Sequence, residues 1–239
     1  MDDRAEPWSV LGTAAPRRGI RPIGAAVALW RLDTRREVIG GHRVGDALLD
    51  ASERSRAAAL VRPGDRHRYL AAHVGLRVLL GGYLRIPPER VSFVREDCPH
   101  CGGPHGRPAL AGGPAAGLHF SLSHTGDVAA VAVAAAPVGL DIETHPRPET
   151  AESLARSLHP REAAALLALP PAARPAALAR VWVRKEAYLK ATGHGLAAGA
   201  THPYVGTAPD PSPTPNWTLT DLPAPRNHAA ALASPVPGP

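Results

Sequence analysis

Residues 138–148, VGLDIETHPRP, place two carboxylates two positions apart in an apolar run. On a strand, residues i and i+2 share a face, so Asp141 and Glu143 point the same way. Two like charges held side by side repel. The pair fits either a solvated strand surface or a hard divalent cation with oxygen ligands, Mg²⁺ first and Mn²⁺ as a substitute. A second charged pattern follows in VWVRKEAYLKATGHGL, residues 181–196. On a helix, Trp182, Glu186 and Lys190 fall at i, i+4 and i+8 on one face, with Lys185 beside it. Glu before Lys at this spacing also makes a plain surface ion pair. Laid against the acidic strand, the helix would add a third carboxylate and a cation. Three acids, one Mg²⁺ and a lysine make a diphosphate site.

SLSHTGD, residues 121–127, sets Ser123 and His124 where a strand meets a turn. Adjacent strand residues point to opposite faces and no G-x-S-x-G is present, which excludes a nucleophile–base pair. Ordinary turn hydrogen bonds or phosphate capture by hydroxyl, imidazole and backbone N–H groups remain. Arg54, Arg56, Arg66, Arg68 and Arg107 offer either a solvated face or an anion cradle. CPHCGGPH, residues 98–105, gathers Cys98, Cys101 and His105 with His100 between them. A zinc site usually shows a second ligand pair at a distance; His119 or His124 would have to complete one here, and neither makes a clean motif. The stretch reads as a reduced, semi-buried hairpin loop.

These residues need elements to hold them. AAVALWRLD (25–33) reads as a strand. Two helices follow within 46–84, with Asp50 or Ser52 capping the first and RPGD separating them. ERVSFVRED (89–97) reads as a strand, then a Gly/Pro loop runs to residue 117. LHFSLSHTGDVAAVAVAAA (118–136) reads as two strands about a tight turn, and VGLDIE as another. A helical tract covers 149–169, prolines break it at 170–175, and a helix over 176–192 stops at Gly193. The Pro-rich tail holds strands at NWTLTDL and AAALA. The apolar residues of 160–180 either pack inside this half or form a docking surface.

The 239 residues suffice for one large domain or two small ones, and 44% are hydrophobic. Two cysteines exclude a disulfide scaffold. The acidic N-terminus has no apolar signal region, and no run spans a membrane, so a cytoplasmic protein is expected. The net charge of +6, mostly arginine, suits solubility or an anionic ligand or acidic partner. Nucleic acid is not expected, because aromatic platforms and binding motifs are lacking. The order of elements predicts an α+β fold with a loose arm at 1–22, an N-terminal lobe at 23–135 and a C-terminal lobe at 136–239.

FSLSHTGD, VGLDIE and WVRKEAYLKATGHGL, in this order, resemble the three signature blocks of the Sfp-type 4′-phosphopantetheinyl transferases. GPHGRPAL resembles the family's earlier G-[KR]-P block, and RPGDRHRYLAAHVGLRVLL its N-terminal D-x-x-R helix. The resemblance implies a pseudo-dimer of two α/β lobes, each a small, mostly antiparallel sheet with a long helix, and an active site in the cleft between them. It implies a monomer that transfers phosphopantetheine from coenzyme A to a serine of an acidic carrier protein and releases 3′,5′-ADP. Such carriers serve polyketide, peptide or fatty-acid synthesis. Asp141, Glu143 and Glu186 would then ligate Mg²⁺, and Lys190 and Lys185 would contact phosphates. Glu186, or a metal-bound water near it, would be the base, and Lys190 would stabilise the leaving oxygen. Ser123, His124 and Arg107 would hold the 3′-phosphoadenosine end, with Arg56 and Arg68 as basic positions of the N-terminal lobe. Two departures stand out: Glu53 takes the place of a family lysine, and Tyr69 that of a Thr or Ser. The competing expectation is a non-catalytic coenzyme A or carrier-protein binding module on the same fold.

Overall fold

The computed structural model describes residues 7–14, 26–112, 117–195 and 199–236. Helices and small sheets, nearly all antiparallel, alternate along the chain, giving the predicted α+β class. The chain divides into two compact units. One comprises Trp8–Val94 and Pro108–Ala135. The other comprises Ala136–Pro239 with Arg95–Arg107.

The first unit holds β1 (Trp8–Val10), β2 (Val27–Asp33), β3 (Val38–Ile39), β4 (His42–Arg43), α1 (Ala51–Ala58) and α2 (Pro63–Leu84). After β5 (Phe93–Arg95), at its edge, come β6 (Pro108–Leu110), β7 (His119–Thr125) and β8 (Val128–Ala134). The sheet runs β1-β2-β8-β7, with only β1 parallel to its neighbour. Strand β8, VAAVAVA, is buried almost throughout, so small and β-branched residues fill it. Val74, Leu79 and Leu80 of α2 pack with Leu32, Val131 and Val133 of the sheet. Strand β1 falls inside the segment expected to be a loose arm. Trp8 and Leu11 are buried, and that apolar burial holds the strand on the sheet. The rest of that arm, residues 1–6 and 15–22, lies outside the described residues.

Asp50 caps α1, as its position suggested, and the cap is reciprocal. Asp50 Oδ1 accepts from the Glu53 N–H at 2.9 Å, and Glu53 Oε2 accepts from the Asp50 N–H at 2.9 Å. Glu53 also meets His73 Nδ1 at 2.8 Å and the fully buried Arg77 through its Nε at 2.7 Å. Arg77 in turn donates to Val91 O at 2.7 Å and lies over the Phe93 ring at 5.0 Å. Position 53 is therefore structural here, which explains a carboxylate where the resemblance asks for a lysine.

Burial raises the Glu53 carboxyl, but bonds from His73, Arg77 and the Asp50 N–H outweigh it and hold the group at about 2, against 4.5 ordinarily. A depressed carboxyl stabilises the fold above its unfolded value and loses that contribution as pH falls. Unfolding free energy should thus drop by about 3 kcal/mol as pH falls from 4.5 toward 2. Urea titrations across that window check it. Glu53→Gln should flatten the slope, and an unchanged slope would remove Glu53 as its source.

The second unit holds β9 (Gly139–Thr144), α3 (Pro148–Ala155), α4 (Pro160–Ala168), α5 (Arg174–Thr192), β10 (Trp217–Leu222) and β11 (His228–Pro235). Its antiparallel sheet runs β10-β11-β9, with Asp141 opposite Ala231 and Glu143 opposite Ala229. The helical tract expected over 149–169 is two helices, because Pro160 starts a new one. Leu158, Leu166, Ala177 and Leu178 are core residues with Val181 and Leu219, so the apolar side of 160–180 packs inward.

Loop 95–107, which the sequence boundary assigned to the N-terminal lobe, belongs to this unit. Arg107 Nη1 donates to Ala191 O at the end of α5 at 2.6 Å, which ties it there. Among the described residues no helix is long and apolar enough to cross a membrane.

Candidate active site

Helix α5 runs against β9 at backbone distance. A Cβ at Gly139 would lie 1.9 Å from Ala187 O and 2.5 Å from Ala191 N. Only glycine permits that approach, and it sets the next residues of the same strand face, Asp141 and Glu143, beside the helix. Lys190 Nζ donates to Asp141 Oδ1 at 2.5 Å and to Leu140 O at 3.3 Å. The Asp141 side chain is 3% exposed and that of Lys190 31%. Glu186 lies one turn before Lys190 on the same face, half-buried. Burial raises its carboxyl above the ordinary carboxylate range. Asp141 raises it further, Lys190 pulls it down, and Glu143 adds to the rise. Asp141, Glu143, Glu186 and Lys190 therefore form one electrostatic cluster.

The donor set fits a hard divalent cation. Three carboxylates and one ammonium sum to −2, and every candidate ligand is an oxygen. Arg107 stands at the C-terminal end of α5, where a cation is favoured. Its Nε pairs with Glu96 Oε2 at 2.7 Å while Nη1 holds Ala191 O.

Lys185 does not behave as the resemblance implies. It is buried, paired with Glu162 Oε2 at 2.7 Å and donating to Pro203 O at 2.5 Å. Burial lowers its ammonium, against the pull of Glu162. Glu162 Oε1 also accepts from the Val205 N–H at 2.7 Å. Lys185 is thus an internal strut between α4, α5 and the tail. Its neighbour Arg184 plays a similar part, forking onto Asp221 at 2.7 and 2.6 Å and onto the carbonyls of Gly206, Ala208 and Pro209. The sequence reading missed Arg184, Glu162 and Gly139. The one local signal was glycine at the head of a strand.

The other predicted residues lie in the first unit. Arg68 Nε donates to Asp127 Oδ1 in the β7–β8 turn at 3.1 Å, bringing it to the SLSHTGD segment. Tyr69 stacks on His73 with centroids 4.1 Å apart and meets His124 edge-on at 6.5 Å. Burial pushes the Tyr69 hydroxyl up to about 12, Glu53 adds to it, and Arg56 opposes it from α1. Ser123 is buried, His124 exposed. Arg56, Arg68 and His124 are thus gathered around Tyr69, the residue that departs from the family pattern, and Ser123 precedes His124 on β7.

The profile of the 4′-phosphopantetheinyl transferase superfamily matches residues 137–233, the stretch that carries β9 and α5. The 4′-phosphopantetheinyl transferase HetI of Nostoc sp. is 36% identical over 193 residues, 78% of either chain. The chain belongs to the 4′-phosphopantetheinyl transferase superfamily. A putative 4′-phosphopantetheinyl transferase of Synechocystis sp. is 28% identical over 207 residues, 82% of this chain and 79% of its own. The 4′-phosphopantetheinyl transferase psf-1 of Bacillus pumilus is 33% identical over 135 residues, 56% of this chain and 54% of its own. Membership makes the chain a transferase, and the acidic strand and α5 lie in the matched stretch.

Proposed function

We propose that this transferase moves the 4′-phosphopantetheine arm of coenzyme A onto a serine of an acyl or peptidyl carrier protein and releases adenosine 3′,5′-bisphosphate. One observation supports the site above others: Lys190 of α5 meets Asp141 of β9, with Glu186 one turn away on the same helix face. Asp141, Glu143 and Glu186 are the residues that would hold Mg²⁺, with Mn²⁺ able to substitute. When bound, the ion supplies charge neutralisation at the diphosphate.

The carrier serine oxygen attacks the β-phosphorus of coenzyme A. A new P–O bond forms, and the bond from that phosphorus to the bridging oxygen breaks. The electron pair leaves on the nucleotide phosphate. Lys190 stabilises that departing oxygen with its ammonium. Glu186 accepts the serine proton, directly or through a water. Arg56, Arg68, Ser123, His124 and Arg107 are assigned to the phosphoadenosine end. Lys185 is left out, since its charge is spent on Glu162.

Each unit contains a long helix, α2 or α5, packed with a mainly antiparallel sheet, which supports reading the chain as a pseudo-dimer of two lobes. A net charge of +6 suits an acidic carrier. We assign the protein as a cytoplasmic monomer. Intact mass of a carrier protein after incubation with coenzyme A and Mg²⁺ tests the reading. The expected gain is about 340 Da, the formula mass of one arm, and EDTA should suppress it. Gain in EDTA would overturn the metal assignment. No gain despite coenzyme A binding would favour the non-catalytic binding module.

A further inference from the structure

Loop 95–107 carries a cluster that phosphopantetheinyl transfer does not use. One ligand atom each from Cys98, Cys101 and His105 lies within 4.8 Å of the others. His105 Nε2 is 3.0 Å from Cys101 Sγ. Both thiols are free; Cys98 is buried, and Cys101 and His105 are exposed. The backbone winds around Cys98. Its N–H donates to Gly103 O at 2.7 Å, and the Gly102 N–H donates to Cys98 O at 2.8 Å. Gly102, at φ +70°, makes the turn that glycine alone makes without strain.

We propose that Cys98, Cys101 and His105 bind one Zn²⁺ ion, with solvent completing its coordination. Two thiolates and an imidazole are the borderline-soft donors that Zn²⁺ takes in C-x₂-C sites, and they differ in kind from the oxygens of Asp141, Glu143 and Glu186. The spacing alone left the site open because a second ligand pair was missing. The fold supplies the third ligand by bringing His105 back onto Cys101. Binding releases the two thiol protons and leaves a neutral site, since two thiolates balance the ion.

The role follows from where the loop is tied. Arg107, two residues beyond His105, holds Ala191 O, and a Cβ at Gly193 would touch Pro99 at 3.7 Å. The ion staples the loop that caps the C-terminal end of α5, the helix that carries Lys190.

Co²⁺ added to the full-length reduced protein tests this. One Co²⁺ per chain should give a thiolate-to-metal charge-transfer band, which one equivalent of Zn²⁺ removes. Cys101→Ser should abolish the band, and His105→Ala should weaken binding at least about tenfold. Both positions are exposed, so circular dichroism should show an intact fold. Asp141→Ala should keep the band, which separates this site from the carboxylates. A reduced, folded protein with no band, or a band unchanged in Cys101→Ser, overturns the proposal.

Discussion

Asp141→Ala and Glu186→Gln should each lower the initial rate of phosphopantetheinyl transfer by about a thousandfold while the protein stays folded. The two substitutions act on the same cluster by different routes. Asp141→Ala removes the carboxylate that pins Lys190 at 2.5 Å. The freed ammonium is already 31% exposed and can turn to water, so the fold loses little. Glu186→Gln keeps volume and removes charge. Its carboxyl is pushed up by burial and by Asp141 and Glu143, so ionising it costs the folded protein energy at neutral pH. The glutamine should therefore leave thermal stability unchanged or raised. Lost rate with unchanged or higher melting temperature is the signature of a group kept for function at the expense of stability. Carrier mass gain against time, beside a melting curve for each variant, reads both. A rate within tenfold of the parent for either variant would remove that residue from the site.

The parts legible in the sequence share a cause: local periodicity. Alternation put Asp141 and Glu143 on one face, and the four-residue step put Glu186 beside Lys190. Asp50 was legible as a cap because capping chemistry is local. What stayed hidden depends on contacts across long separations. Lys185 is adjacent to Glu186 on α5, and the family resemblance implied a phosphate contact for it. Its fate is decided by Glu162 on α4, in a segment that also read as a docking surface. Arg184 depends on Asp221 and three tail carbonyls in the same way. Glu53 looked like a missing lysine, because only the fold sets Arg77 and His73 around it. Trp8–Val10 was hidden because three residues are too few to show a period, and only pairing with β2 makes them a strand.

Gly139→Ala should be the most damaging single methyl in the second unit. The added Cβ would meet Ala187 O at 1.9 Å, Ala191 N at 2.5 Å and Ala187 C at 2.9 Å. All three are backbone atoms of a helix, so no side chain can swing aside. Relief requires moving α5 off β9, against the core built by Val181, Val183, Leu178 and Ala187 with Leu219 and Ala231. The expected loss is about 3 kcal/mol or more, at the upper end of overpacking costs. The same shift pulls Glu186 and Lys190 from Asp141, so whatever folds should transfer slowly even below its melting temperature. Gly82→Ala is the control. It lies inside α2 with nothing within 4 Å of an added Cβ. It should gain about 0.5–1 kcal/mol from helix propensity and keep full rate. Urea unfolding and carrier mass gain on both variants decide the matter. If Gly139→Ala matched Gly82→Ala in stability and rate, the close approach of α5 to β9 would not be what aligns the acidic strand with the helix.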